Sequence, residues 1–308
     1  MSPQETREAE SRWALPAALA AFSAVALLVV SRFVDVGGSE NPEILRNVHL
    51  HPGSVTLAGL LQAAGLLLLL IPLVYLFRAV RARSEQVRPQ LIGLVLAAPL
   101  CLAVSSGLSI GVRHEAADQF VAGEAKSTLS QKEAHGECAS EQKDEGKKDF
   151  AEEFEAERGE TPLAACERQK REDDEASNAL GEASVTPLTT GLGIAGSLGL
   201  VAALFYTCLW AMRTGLLSRF WGALGMASGI AFLLGPLSFI ALIWFVYLGF
   251  LLIGLLPGGR PPAWEAGEAV PLPTPGEKAA AELEPSEPVD AEDGPEGTGE
   301  RRKRKQRE

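Results

Sequence analysis

The chain has 308 residues, of which 47% are hydrophobic and 22% charged, and its formal net charge is −11. The chain contains no nucleic-acid-recognition motif, so no nucleic-acid partner is expected. The apolar residues are gathered into blocks, which excludes an ordinary soluble domain and predicts a membrane protein.

Five blocks contain no Asp, Glu, Lys or Arg, and a helix needs about 20 apolar residues to cross a bilayer. The blocks comprise residues 13–30, 54–77, 91–111, 191–212 and 220–256. The last one is interrupted at Gly235–Ser238 and is predicted to form two spans joined by a turn. The sequence therefore predicts an all-α polytopic membrane helix bundle of about six transmembrane helices, three within residues 13–112 and three within 189–256.

Arginines near the predicted spans are distributed unequally between the two sides of the membrane. One side carries nine: Arg7, Arg12, Arg78, Arg81, Arg83, Arg88, Arg213, Arg219 and Arg260. The other side carries two, Arg32 and Arg46. Because short cytoplasmic segments are rich in Lys and Arg, the first side is expected in the cytoplasm. The predicted location is the cell membrane, with both termini cytoplasmic and residues 1–12 as the N-terminal segment.

A long polar segment, residues 113–188, separates the third and fourth predicted spans. It contains 20 acidic and 10 basic residues, and by alternation of the spans it is extracytoplasmic. Its apolar content is too low to predict a core, so we expect solvated helices or partial disorder. Cys138 and Cys166 lie in this segment and either form a disulfide in an oxidising compartment or stay as free thiols.

Three histidines are expected near the outer membrane surface: His49 and His51 before the second span, and His114 after the third. A histidine pair spaced i, i+2 on an extended segment could bind a metal or relay a proton. No carboxylate or thiol completes a ligand set at a recognisable spacing, so these residues are weak metal candidates, and interfacial polar residues are the simpler interpretation. The sequence predicts no catalytic residue, no metal site and no cofactor.

The stretch TTGLGIAGSLGLV contains Gly191, Gly193 and Gly196 in the spacing of a dinucleotide-binding loop. No predicted strand precedes it, and the next acidic residue is only Glu265, too distant to bind a ribose. If the same stretch forms a helix, its small residues lie four positions apart on one face, which predicts close helix packing. The predicted stripe is Gly191, Ala195, Gly199 and Ala203, and its predicted matching surface is Gly225 with Gly229 or Gly107 with Gly111.

The last segment, residues 257–308, is rich in Pro, Glu, Ala and Gly. It offers too little apolar surface to offset the entropy lost on ordering, so a disordered cytoplasmic tail is expected. Its basic end, residues 301–305, favours contact with anionic headgroups.

Two segments are distinctive: AMRTGLLSRFWGALGMASG, residues 211–229, and LPGGRPPAWEAGEAVPLP, residues 256–273. They resemble recurrent segments of a group of uncharacterised multi-pass membrane proteins of actinobacteria, and a looser likeness covers LLIPLVYLFRAVRAR, residues 69–83. The resemblance implies the membrane class and brings no activity, cofactor or catalytic residue with it.

The predicted spans lack charge, whereas ion-coupled transporters and proton pumps need ionisable groups at membrane depth. We therefore expect a non-enzymatic scaffold or accessory protein in the lipid bilayer, with membrane-protein partners bound through residues 113–188 or the tail. Two alternatives stay open. One is a passive channel or transporter for a small or lipophilic solute, and the other is a membrane metal or redox enzyme that uses the outer histidines.

Overall fold

The computed structural model describes residues 3–38, 40–145, 160–234, 239–256 and 259–271. Within these ranges all regular secondary structure is helical, in agreement with the predicted class. The α-helices are α1 (Pro3–Val34), α2 (Asn41–Leu50), α3 (Pro52–Leu68), α4 (Leu70–Arg83), α5 (Ile92–Val121), α6 (Gln131–Glu145), α7 (Pro162–Glu182), α8 (Thr186–Arg213), α9 (Arg219–Leu233), α10 (Phe239–Ile253) and α11 (Pro262–Ala266).

Four helical segments are long and apolar enough to cross a membrane, and they contain the first four predicted spans. They are Gln4–Val34, Pro52–Arg83, Pro89–Val121 and Thr186–Arg213. At 1.5 Å per residue each exceeds the hydrocarbon core, which is about 30 Å thick. Their ends therefore reach beyond the apolar layer and carry polar groups on both sides of it.

The two ends of the bundle differ in charge. We call the end at which α1 begins and α4 and α8 finish the basic end, because it bears the nine arginines named above. The opposite end bears α2, α6 and α7, which together we call the acidic cap. The second span consists of α3 and α4, which meet at Leu69. Pro72 lacks an amide hydrogen and cannot donate to the carbonyl of Leu68, which explains the interruption.

Two shorter helices, α9 and α10, form a hairpin beside the long ones. Each has 15 residues, or about 22 Å of helix, which is less than the hydrocarbon thickness. Of the six predicted spans the structure thus supports four, and the predicted turn at 235–238 lies outside the described residues. The indole nitrogen of Trp244 in α10 donates to the Trp221 carbonyl of α9 over 3.0 Å, which ties the hairpin together.

Large apolar side chains fill the interior of the bundle. The fully buried ones include Leu69, Leu73, Leu76, Phe77, Leu200, Leu204, Trp244 and Phe245. Other large apolar side chains, among them Leu57, Leu100 and Phe205, are exposed on the outside. A helix bundle that is apolar on both its inner and outer faces is suited to a lipid environment.

Helix α8 packs closely on α5, but through a face that differs from the predicted stripe. A Cβ atom on Gly196 would lie 2.9 Å from the Leu102 amide nitrogen of α5, and one on Gly199 would lie 3.0 Å from the Ala98 Cβ. Ala203 is buried. Gly191 and Ala195 are exposed, so their predicted place in the packing face is wrong.

Of the two predicted matching pairs, Gly225 with Gly229 contacts α8. A Cβ atom on Gly225 would lie 2.5 Å from Cys208 Sγ, and one on Gly229 would lie 3.0 Å from Val201 Cα. A Cβ atom on Gly107 or Gly111 would have no neighbour within 4 Å. Helix α8 is therefore approached from two sides, by α5 and by α9, and small residues serve both contacts.

Changing Gly196 to alanine is expected to lower the free energy of unfolding by about 1–3 kcal/mol, because the new methyl group meets backbone atoms of α5. Gly191→Ala is the matched control. It adds the same methyl group to the same helix in open space, where alanine favours the helix by up to about 1 kcal/mol. Unfolding in mixed detergent micelles, followed by tryptophan fluorescence, measures both variants. Equal stability of the two variants would contradict the α5–α8 contact.

The acidic cap has a core of its own where it meets the bundle. Helices α2 and α7 pack on the ends of α3 and α5 through Leu45, Val48, Val55, Ala116, Ala117, Ala176 and Ala179, all of which are buried. The helices expected in residues 113–188 are thus present, together with a small core that their apolar content was too low to predict. Alanines can form this core because their small side chains let the helix backbones approach closely.

Candidate functional site

Helices α6 and α7 of the acidic cap are cross-linked by a disulfide. The sulfur atoms of Cys138 and Cys166 lie 2.02 Å apart, and both cysteines are buried beside Ala165. Glu141 has a carboxylate oxygen within 4.8 Å of both sulfurs. Because disulfide sulfurs are not thiolates, this group of three does not form a metal site while the disulfide is intact.

An ion-pair network reinforces the same helix pair. The Lys170 ammonium group lies 2.7 Å from a Glu141 oxygen and 3.4 Å from a Glu137 oxygen. Partial burial lowers the pKa of Lys170, but the hydrogen bonds and charges of these two carboxylates outweigh it and raise that pKa above its ordinary value. Helices α6 and α7 are thus joined by both covalent and charged contacts.

Helix α7 is fixed to α2 by polar contacts above their shared apolar core. Arg46 of α2 and Glu172 of α7 form an ion pair of 2.7 Å, and Gln169 donates to Glu40. Burial, together with the nearby Glu40 and Glu172 carboxylates, raises the pKa of Asp173. The acidic side chains are therefore held close together on a folded surface.

Asp174 anchors the loop that leads from α5 into the acidic cap. Its carboxylate accepts hydrogen bonds from the Ser127 hydroxyl over 2.8 Å and from the amides of Thr128 and Leu129 over 2.6 and 3.0 Å. The Ser127 bond and these amides lower the pKa of Asp174 despite slight burial. The charged form of Asp174 thus stabilises the loop.

The three candidate histidines lie at the end of the spans that bears the acidic cap, but they do not form one site. His49 Nδ1 is 3.1 Å from a carboxylate oxygen of Asp118, and His114 Nε2 is 3.1 Å from the Thr56 hydroxyl. His51 is exposed between α2 and α3. Among the described residues, no group of three possible metal ligands includes a histidine.

The basic end contains a buried ion pair that the sequence did not reveal. The guanidinium group of Arg83 in α4 is fully buried and binds both carboxylate oxygens of Glu10 in α1, one of them over 2.9 Å. It also donates to the carbonyls of Ala79 and Ala263, over 3.0 and 3.1 Å. From the sequence, Arg83 is expected to contribute only to membrane orientation, because no local pattern pairs it with Glu10.

Residues 259–271, predicted as part of a disordered tail, fold against the basic end. Trp264 is 6% exposed and its indole nitrogen donates to the Leu216 carbonyl over 2.9 Å. Its ring stacks on Tyr75 with centroids 6.0 Å apart, and Arg83 lies over the same ring. Disorder is therefore wrong for this stretch, and residues 272–308 lie outside the described part of the chain.

The two segments that carry the family resemblance contact each other here. The Val270 amide donates to the Thr214 carbonyl over 3.2 Å. Between them, Gly215 has φ +76°, and a Cβ atom there would lie 1.9 Å from the Val270 carbonyl oxygen. Only glycine fits this turn, because both its conformation and its contact exclude a side chain.

Comparison of the chain with known protein families, with curated proteins and with solved structures found no match.

Proposed function

We propose that the chain is a non-enzymatic membrane scaffold or accessory protein that presents the acidic cap to a partner protein with a basic surface. One observation carries this proposal. The cap is a folded layer, cross-linked by the Cys138–Cys166 disulfide and seated on α5, so its acidic side chains are held in fixed positions. A fixed array of like charges favours association with a surface of opposite charge. The proposal also places the chain in the membrane-protein group that it resembles.

The proposed orientation puts the basic end in the cytoplasm and the acidic cap outside the cell membrane. The arginine distribution favours it, and a disulfide is compatible with an oxidising outer compartment. We propose the α9–α10 hairpin as the fifth and sixth spans. Both of its outer ends lie at the basic end, since Arg260 donates to the Leu251 carbonyl and Trp264 to that of Leu216. Residues 3–12 and 259–271 therefore share one side however deep the hairpin reaches.

The other candidate functions have weaker geometric support. A passive channel needs a path along the bundle axis, where Leu200, Leu204 and Trp244 are fully buried among other large side chains. A metal or redox enzyme based on His49, His51 and His114 needs them to converge, and each has separate surroundings. The acidic cap is the feature that these alternatives do not explain.

Site-specific photo-crosslinking in intact cells tests the proposal. A photoreactive residue at exposed Ser140 on α6 is expected to give a discrete protein adduct. The same residue at Glu85, in the loop after α4, is the matched control at the basic end. The variant Asp144→Lys should reduce the Ser140 adduct, because it reverses a charge one turn away. Adducts from Glu85 but none from Ser140 would contradict the proposed role of the cap.

Thiol labelling tests the orientation in the same cells. A membrane-impermeant maleimide is expected to label a cysteine introduced at Ser140, which is exposed on the acidic cap, from outside the cells. A cysteine introduced at Glu85 should react only in permeabilised cells. The wild type, in which Cys138 and Cys166 are buried in the disulfide, serves as the blank. Labelling at position 140 only after permeabilisation would reverse the proposed orientation.

A further inference from the structure

A groove of about 750 Å³ lies between α1 and α4 at the basic end. Small side chains, Ala9 and Ala17 of α1 and Ala79 and Ala82 of α4, contribute to its lining and leave room for a guest. Trp13, which also lines it, is 62% exposed. The groove therefore opens on the side of the bundle, where lipid surrounds a membrane protein.

The α4 wall of the groove changes from apolar to basic along its length. Ile71, Val74, Arg78 and Arg81 all line it, and their spacing of three, four and three positions puts them on one helix face. From Ile71 to Arg81 the helix rises about 15 Å. Two apolar side chains followed by two guanidinium groups match the order of hydrocarbon chain and phosphate in a lipid.

The basic part of the groove carries two arginines that are not used in ion pairs with described residues. Among the residues that the structure describes, neither Arg78 nor Arg81 forms an ion pair, and both are exposed. Glu10, an acidic residue in the lining, is already bound by the buried Arg83. The mouth of the groove thus carries two arginines that form no ion pair with any described residue.

We propose that this groove binds an anionic phospholipid. One acyl chain lies along Ile71 and Val74, and the phosphate lies between the guanidinium groups of Arg78 and Arg81, which bind phosphate oxygens through several N–H groups at once. The proposal rests on insertion of the helices into a membrane. It does not depend on the partner of the acidic cap.

Native mass spectrometry of the full chain in neutral detergent tests the site. The protein is given phosphatidylglycerol and phosphatidylcholine with identical acyl chains. The wild type is expected to retain phosphatidylglycerol preferentially, and Arg78→Gln/Arg81→Gln should reduce that preference about 25-fold, at roughly fivefold for each basic residue. The matched control is Arg88→Gln/Arg219→Gln, which removes two exposed basic-end arginines outside the groove and should keep the preference.

Further variants separate lipid binding from effects on folding. Arg78→Lys/Arg81→Lys keeps the charge and should retain most of the preference, whereas Ala82→Trp, at an exposed lining position, should lower retention of both lipids by filling the groove. An unchanged preference in Arg78→Gln/Arg81→Gln, or an equal loss in the control, would overturn the proposal.

Discussion

Replacing Arg83 with methionine is expected to lower the free energy of unfolding by about 3–5 kcal/mol, the usual cost of removing one partner from a buried ion pair. The Arg83 side chain is 0% exposed and that of Glu10 only 13%. Without the guanidinium group, the Glu10 carboxylate stays in a nonpolar environment with its charge unpaired. The Ala263 carbonyl also loses its donor, which weakens the attachment of residues 259–271.

Arg88→Met is the control for this variant. Arg88 lies in the loop that follows α4, five residues after Arg83. Its loss changes the positive charge beside the membrane by the same amount, but its side chain is exposed. Unfolding in mixed micelles should show a change within about 0.5 kcal/mol for Arg88→Met. The double variant Glu10→Gln/Arg83→Met should recover part of the stability, because no buried charge is left. Equal losses at Arg83 and Arg88 would show that the ion pair does not stabilise the fold.

The membrane helices were predictable because few backbone conformations are stable in lipid. A block without charge must satisfy its backbone hydrogen bonds internally, and a helix does this. The same argument does not fix helix ends, where water is present. Helix α1 thus begins at Pro3, ten residues before the apolar block, and α5 runs on to Val121.

The packing face of α8 was harder to predict. Small residues occur at Gly191, Gly193, Ala195, Gly196 and Gly199, so several faces satisfy a spacing of four. Which one is used depends on where α5 and α9 lie, and that is a tertiary property. The small residues of α8 therefore predicted close helix packing, but they did not show which of them contact α5 and α9.

At both ends of the bundle, amino-acid composition was a poor guide to which residues are ordered and packed. Residues 259–271 contain many Pro and Gly residues, and their order depends on a few specific contacts made by Trp264. In the acidic cap the core consists largely of alanine, which counts little in a hydropathy pattern. A spacing of 28 positions does not decide between a disulfide and free thiols, so the sequence alone does not predict the Cys138–Cys166 bond.

Replacing Trp264 with alanine is expected to cost about 3–5 kcal/mol of unfolding free energy, as for other buried tryptophans. The change removes the stacking on Tyr75 and the contact with Arg83, and it leaves the Leu216 carbonyl without its donor. Trp264→Phe keeps an aromatic ring and should cost only about 1–3 kcal/mol, chiefly through that unpaired carbonyl. Fluorescence-detected thermal unfolding in detergent measures both variants.

Two truncations show whether this stability resides in residues 259–271 or beyond them. A chain that ends at Pro271 keeps every described contact of Trp264 and should unfold at the wild-type temperature. A chain that ends at Leu256 lacks the whole segment and should lose at least as much stability as Trp264→Ala. If both truncated chains unfold alike, the segment does not support the basic end, and the contacts of Trp264 with Tyr75 and Leu216 contribute little to the fold.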